Sequence, residues 1–178
     1  MITPFFSTAQ RQADLVAAIK PWLGTPYLDG CGPKAKPGAC ADCTWVAGPL
    51  QQLGAVGAVP WPQRYVARGG GAKMLEVLLH VLDGVERLNC IWSRVSGKKA
   101  PVFIPGDVLV YSAGSRMHHL CLYLGANRTV HSWFGKVQIG NAKDQRDRLL
   151  RAVYRAYSYS AEDPALRTPH SALLHGKP

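Results

Sequence analysis

The two parts of this chain, before and after residue 102, carry different hydrophobic patterns. Before residue 102, apolar residues recur at helical spacing in three short stretches. After it, segments rich in β-branched and aromatic residues are separated by turns, and they span 107–111, 119–124, 128–133, 136–139 and 152–159. Helices followed by hairpin-spaced strands indicate the α+β class. We therefore expect N-terminal helices packed on a mainly antiparallel sheet of five to six strands.

Two of the helical stretches have clear sequence signals. The residues Ser7-Thr8-Ala9-Gln10 resemble a capping box, and the apolar positions that follow predict a helix that ends near 21–24. A second amphipathic helix is predicted over 74–82, after a stretch with three consecutive glycines. Between the first helix and residue 42, the Gly-, Pro- and Lys-rich stretch 28–41 predicts a loop.

The remaining helical stretch begins with a cysteine. Asp42 is of a residue type that caps helices, and apolar residues follow it at helical spacing until Gly54 closes the segment. This pattern places Cys43 in the first turn of a buried helix, at the positive end of the helix dipole.

A thiol at this position needs further help to act as a nucleophile. Only the thiolate is reactive, and the pKa of a free cysteine is about 8.5. A helix end contributes roughly 0.3–1 kcal/mol, which is less than one pKa unit at about 1.4 kcal/mol per unit. We therefore expect a histidine imidazolium beside Cys43.

Two histidines of the strand region are placed to supply it. His119 begins one predicted strand and His131 ends the next, with a turn at 125–127 between them. If the two strands form a hairpin, these side chains lie next to each other at one edge of the sheet. A cysteine at a helix start, a histidine on a later strand and a polar third residue on the next strand is the chain order of papain-like thiol hydrolases. Tyr27 lies before the loop 28–41, which can bring it beside the thiol.

The length and composition fit one globular domain over 1–159. The stretch 160–178 holds three prolines and little periodicity, so we expect an extended arm that orders only against a partner. No apolar run of eighteen residues occurs, and the N-terminus lacks the features of a signal peptide. We therefore expect synthesis in the cytoplasm without membrane insertion.

The formal charge of +10 comes from 21 Lys and Arg against 11 Asp and Glu. Such a balance favours contact with anionic polymers: nucleic acid, teichoic or lipid phosphate, or carboxylate-rich wall peptide. No zinc-finger spacing or basic heptad array is present. Sequence-specific nucleic-acid recognition is therefore not expected.

Five cysteines in a chain without a signal peptide argue against a disulfide scaffold. Cys40 and Cys43 form a C-x-x-C pair, but a metal or cluster site normally needs a second pair. We accordingly expect no metal and no cofactor. A Cys40–Cys43 redox lock on the nucleophile is the alternative interpretation of the pair.

Five motifs in order resemble the NlpC-type cell-wall peptidases, and most of all those encoded among phage and gene-transfer-agent tail genes. The resemblance covers about 22–157, most of the chain. The motifs are Gly24-Thr25-Pro26-Tyr27, Asp42-Cys43-Thr44-Trp45-Val46, Pro105-Gly106-Asp107-Val108-Leu109, His119-Leu120-Cys121-Leu122-Tyr123-Leu124-Gly125 and Val130-His131-Ser132.

The resemblance implies a papain-like fold and a cysteine peptidase that cleaves peptidoglycan stem peptides so that a tail tip can pass the wall. Cys43 would be the nucleophile, His119 its acid–base partner and His131 the residue that orients His119. Tyr27 is a candidate oxyanion donor beside the Cys43 backbone N–H, and Asp42 would contact the free amine of the stem peptide. The implied partners are tail hub and other tail-tip proteins, and the implied location is the virion tail tip.

The chain departs from the usual family pattern at three places. Thr44 and Trp45 stand where small residues are usual, Cys121 stands where glycine or alanine is common, and the loop 30–41 is embellished. Trp45 is expected to narrow the cleft. Two alternatives are a structural tail-tip protein with weak or lost catalysis, which binds its partners through the C-terminal arm, and a secreted-toxin-type cell-wall amidase.

Overall fold

The computed structural model describes residues 2–57, 78, 90–94, 102–113, 116–133, 135–142 and 149–159. Their helices are α1 (Ala9–Ile19) and α2 (Ala47–Gln52), with short 3₁₀ turns at Lys20–Trp22, Gly32–Lys34 and Cys43–Val46. Their strands are β1 (Ile2–Pro4), β2 (Cys90–Arg94), β3 (Val108–Ala113), β4 (Arg116–Gly125), β5 (Arg128–Trp133), β6 (Lys136–Asn141) and β7 (Leu149–Tyr159). Within these ranges, no helix has the length and apolarity needed to cross a membrane.

The strands form one antiparallel sheet in the order β1-β7-β3-β4-β5-β6, and β2 pairs with β7 as well. This arrangement confirms the predicted α+β class. The five predicted strands all form. The two unpredicted strands, β1 and β2, are short segments before the strand-rich region, and β7 is the strand that both of them pair with.

The first helix starts one residue later than the capping-box pattern indicates. Thr8, not Ser7, is the N-cap of α1, and its side chain accepts a hydrogen bond from the Arg11 backbone N–H at 3.2 Å. Of the predicted helix 74–82, only Leu78 is among the described residues, where it is helical and fully buried. The stretch 160–178 lies outside the described residues.

Strand alternation divides the buried side chains between two faces of the sheet. On one face, strand residues pack with the helices and with Trp22, Trp45 and Leu50. On the other face, β3, β4 and β7 contribute a smaller apolar cluster: Leu109, Tyr111, Cys121, Tyr123 and Val153. Because His119 is two residues before Cys121 on β4, it belongs to this second face.

Candidate active site

The Cys43 turn is held by the carboxylate of Asp42. Asp42 has an extended backbone, and its Oδ1 accepts hydrogen bonds from the Thr44 N–H at 2.8 Å and the Thr44 hydroxyl at 2.6 Å. Its Oδ2 accepts a hydrogen bond from the Gly32 N–H at 2.6 Å. Asp42 is therefore the helix cap that the sequence predicts. The first turn, Cys43–Val46, is 3₁₀ rather than α-helical, and α2 begins only at Ala47.

Trp45 belongs to the core rather than to a cleft. It is 1% exposed, and its ring packs on Trp22 with the centroids 5.3 Å apart. A Cβ at Gly48 would lie 2.5 Å from the Trp22 ring, so this packing requires glycine there. The expectation that Trp45 narrows the cleft is wrong, because the side chain has almost no exposed surface to offer a substrate.

The predicted hairpin brings the two histidines together. Leu122 pairs with Val130 across β4 and β5, and Ala126 and Asn127 form the turn with positive φ values. His119 Nε2 and His131 Nδ1 lie 3.0 Å apart in a hydrogen bond, and both residues are buried. Gly140 lies against the other side of His131, where an added Cβ would be 3.1 Å from His131 Nε2.

The Cys43 turn packs against the same two strands, β4 and β5. Ser132, the neighbour of His131, donates a hydrogen bond at 3.2 Å to the carbonyl oxygen of Ala41, two residues before the cysteine. Cys43 is a free thiol and only half-buried. The helical half and the sheet half of the chain therefore meet along β4 and β5, the two strands that carry the histidine pair.

Tyr27 lies near the thiol, as the loop argument predicts. Its segment is tied to the sheet by the Tyr27 N–H, which donates to the carbonyl oxygen of Gly135 at 2.8 Å. The adjacent Leu28 N–H donates to the carbonyl oxygen of Ala41 at 2.9 Å. Burial, Asp29 and the nearby Cys43 and Asp42 raise the pKa of Tyr27 from 10.0 to about 12. Tyr27 is consequently a protonated hydrogen-bond donor at neutral pH.

The electrostatics at Cys43 differ from the expected ones. Protein atoms surround the thiol although the residue keeps some exposed surface, and burial is the largest cause of a raised Cys43 pKa. The carboxylates of Asp42 and Asp29 raise this pKa further, and a backbone hydrogen bond only partly offsets them. The thiol is therefore neutral at pH 7, whereas the sequence argument anticipated a stabilised thiolate.

The expectation against disulfides is also wrong, because Cys31 and Cys40 are disulfide-bonded, with their Cα atoms 6.2 Å apart. This bond excludes Cys40 as the partner of Cys43 in a redox lock. The closed loop is joined to the Cys43 turn, since Gly32 donates its N–H to the Asp42 cap. The oxidised pair thus braces the loop that the sequence analysis describes as embellished.

The sequence did not point to Asp29, and it marked Cys121 only as a departure from the family pattern. Asp29 acts on both Tyr27 and Cys43 from the exposed edge of the loop. Cys121 is fully buried, and its sulfur lies within 4.8 Å of a ring nitrogen of both His119 and His131. Strand alternation from His119 to Cys121, combined with the hairpin register, is the sequence signal that places this thiol beside the imidazoles.

No protein-family model matches the sequence, and no curated protein matches it. Among solved structures, the chain is similar to the crystal structure of the NlpC/p60 domain of peptidoglycan hydrolase SagA. The two share 17% sequence identity with a TM-score of 0.44, over 84% of this chain and 98% of that one. At this distance the likeness does not assign an activity.

Proposed function

We propose that this protein is a cysteine peptidase of the NlpC type that hydrolyses peptidoglycan stem peptides. The observation that carries the proposal is the buried His119–His131 pair, on the two strands against which the capped Cys43 turn packs. An imidazole held by a second imidazole has a fixed orientation, which is what a general base beside a thiol requires. The order of the five sequence motifs supports the same activity.

The chemistry starts from a neutral thiol. His119 uses Nε2 for the bond to His131, so its Nδ1 takes the Cys43 proton as the sulfur attacks the peptide carbonyl. The Cys43 backbone N–H and the Tyr27 hydroxyl stabilise the oxyanion. Protonated His119 then gives its proton to the departing amine, and a water activated by His119 releases the acyl group and restores the thiol.

We assign the enzyme to a phage or gene-transfer-agent tail tip, where it opens the host wall locally. Tail hub and other tail-tip proteins would be its partners, and the arm 160–178 would contact them. The positive charge of the chain supports work on an anionic wall, since the net formal charge is +10. Genes for tail hub proteins beside this gene would favour the tail role, and a neighbouring gene for a small periplasmic-type inhibitor would favour the toxin-type amidase.

One observation favours a second candidate function, a structural tail-tip protein with weak catalysis. Burial and two carboxylates raise the pKa of Cys43, which lowers the thiolate fraction at neutral pH. A protein that uses the fold only for assembly would tolerate a low thiolate fraction at Cys43. A hydrolase has to overcome it through His119.

Incubation of purified sacculi with the protein distinguishes the two candidates. We expect new amines to be released by the unmodified chain, none by Cys43→Ala, and about 10²-fold fewer by His131→Asn. Mass identification of the released peptides gives the bond that is cut. If neither the unmodified chain nor Cys43→Ala releases amines, although circular dichroism shows both to be folded, the hydrolase proposal is wrong and the structural role is favoured.

A further inference from the structure

The side chain of Cys121 adds a third potential metal ligand to the histidine pair. Its sulfur and one ring nitrogen each of His119 and His131 lie within 4.8 Å of one another, and all three residues are buried. A buried cysteine is commonly an apolar filler, and Cys121 does pack with the apolar cluster around Leu109 and Tyr123. Apolar packing alone would not require two imidazoles beside the sulfur, and together the three side chains offer a set of metal ligands.

The hairpin register accounts for this arrangement. Leu122 pairs with Val130, so the register continued by one residue sets Cys121 opposite His131. His119, two residues from Cys121 on the same strand, projects from the same face. The three ligands therefore come from two paired strands of a single sheet, which is a more rigid support than a loop.

We propose that His119, Cys121 and His131 form a site for a borderline-soft divalent cation such as Zn²⁺. Zinc takes imidazole and thiolate ligands at about 2.0–2.3 Å, and sites with three protein ligands keep a fourth position open. The imidazole nitrogens are already 3.0 Å apart, so only small movements bring all three atoms around one ion. Coordination breaks the S–H bond of Cys121 and the hydrogen bond between the imidazoles. The thiol proton goes to solvent, and the imidazole that donates the hydrogen bond moves its proton to its other ring nitrogen, so that both imidazoles bind as neutral ligands.

The consequence for catalysis rests on the proposed function. A bound cation occupies the two imidazoles that the hydrolysis needs, so the metal-loaded protein is inactive and removal of the metal restores it. The site would then inhibit the peptidase reversibly when the metal binds. Binding itself does not depend on whether the protein hydrolyses anything.

Binding is tested on the full chain in a Cys43→Ala background, with the disulfide intact. We expect one Zn²⁺ per chain, and Co²⁺ in its place should show a thiolate charge-transfer band in the near ultraviolet. Cys121→Ser should abolish the band and weaken Zn²⁺ binding at least about tenfold, while His131→Asn should weaken it similarly. Cys90→Ser is the matched control and should keep both band and affinity.

Absence of binding, or a band that survives Cys121→Ser, would overturn the site. If Cys121→Ser does not fold, X-ray absorption at the zinc edge of the Cys43→Ala protein decides instead. One sulfur at about 2.3 Å and two imidazole nitrogens at about 2.0 Å support the site, and a shell without sulfur refutes it.

Inhibition by the metal is tested separately, by incubating the unmodified chain with sacculi. Zn²⁺ should suppress amine release, a chelator should restore it, and Cys121→Ser should need about tenfold more Zn²⁺ for the same inhibition. Full activity with the ion bound would contradict the proposed inhibition. If sacculi are never cleaved but the ion binds, the hydrolase fails while the metal site stands.

Discussion

Asp42 holds the Cys43 turn in place and at the same time disfavours ionisation of the Cys43 thiol. The Asp42 carboxylate that caps the turn also repels a thiolate one residue away, and Asp29 adds to that repulsion. The feature that fixes the position of the thiol therefore suppresses its ionisation. In the proposed mechanism, Cys43 therefore needs a base that removes its proton during attack, and His119 would contribute more to catalysis than it would in a preformed ion pair.

The reactivity of Cys43 should report this directly. We expect its alkylation rate in the folded protein to keep rising with pH above the ordinary thiol pKa of about 8.5, because burial and the carboxylates stabilise the protonated thiol. Asp29→Asn removes one negative charge, so the rise should move to lower pH. The measurement is the alkylation rate of Cys43 by mass spectrometry against pH, with Asp14→Asn on α1 as the matched control. A rate already level below pH 7 would indicate a thiolate–imidazolium pair and contradict the expectation.

Single residues were predictable where a local rule decides them. The Asp42 cap and the pairing of His119 with His131 follow from helix capping and from hairpin geometry, and both are present. The pKa of Cys43 was not predictable, because it is raised mainly by burial of the thiol in the folded protein and further by Asp42 and by Asp29, which is near the thiol only in the folded loop. The roles of Asp42, His119 and His131 in catalysis remain predictions that the sacculus experiment tests.

At the scale of elements, the segments rich in β-branched and aromatic residues predicted the five strands β3 to β7, and the short turns between them predicted antiparallel pairing. The strands β1 and β2 escaped prediction because three and five residues carry too little pattern. One tertiary contact links the start of β3 to the middle of β7. Asp107, immediately before β3, is fully buried and pairs with Arg155 of β7 through two contacts of 2.8 Å.

Removal of the charge on Asp107 should destabilise the protein strongly. Asp107→Asn leaves the Arg155 guanidinium without its carboxylate, and loss of one partner of a buried pair costs about 3–5 kcal/mol. Because the Arg155 side chain is 15% exposed and water can reach it, we expect about 3 kcal/mol. The measurement is the free energy of unfolding in urea. Asp14→Asn removes an exposed charge on α1 and keeps an oxygen that can accept the hydrogen bond from Gln10, so it should change the free energy by less than about 0.5 kcal/mol. A loss below 1 kcal/mol for Asp107→Asn would show that the pair contributes little.

At the scale of the whole molecule, the cysteine count was misleading. An odd number of cysteines argues against a disulfide scaffold, yet the count says nothing about which thiols the fold brings together. Cys31 and Cys40 meet because the loop between them is held at several points. Gly38 donates its N–H to the Thr25 hydroxyl at 2.8 Å, and Gly32 donates to Asp42. Contacts of this kind depend on the folded chain, so spacing alone could not reveal the pair.

Reduction of this disulfide should lower the stability of the folded protein. Opening a closed loop with a sequence separation of 9 releases chain entropy in the unfolded state, worth about 2–3 kcal/mol. We expect dithiothreitol to lower the urea midpoint of the unmodified protein, and a Cys31→Ser, Cys40→Ser double variant to unfold at the lower midpoint with or without reductant. The double variant is the control for effects of the reductant elsewhere, because it keeps Cys43, Cys90 and Cys121. An unchanged midpoint in the unmodified protein after complete reduction would mean that the hydrogen bonds of the loop, rather than the cross-link, set its contribution to stability.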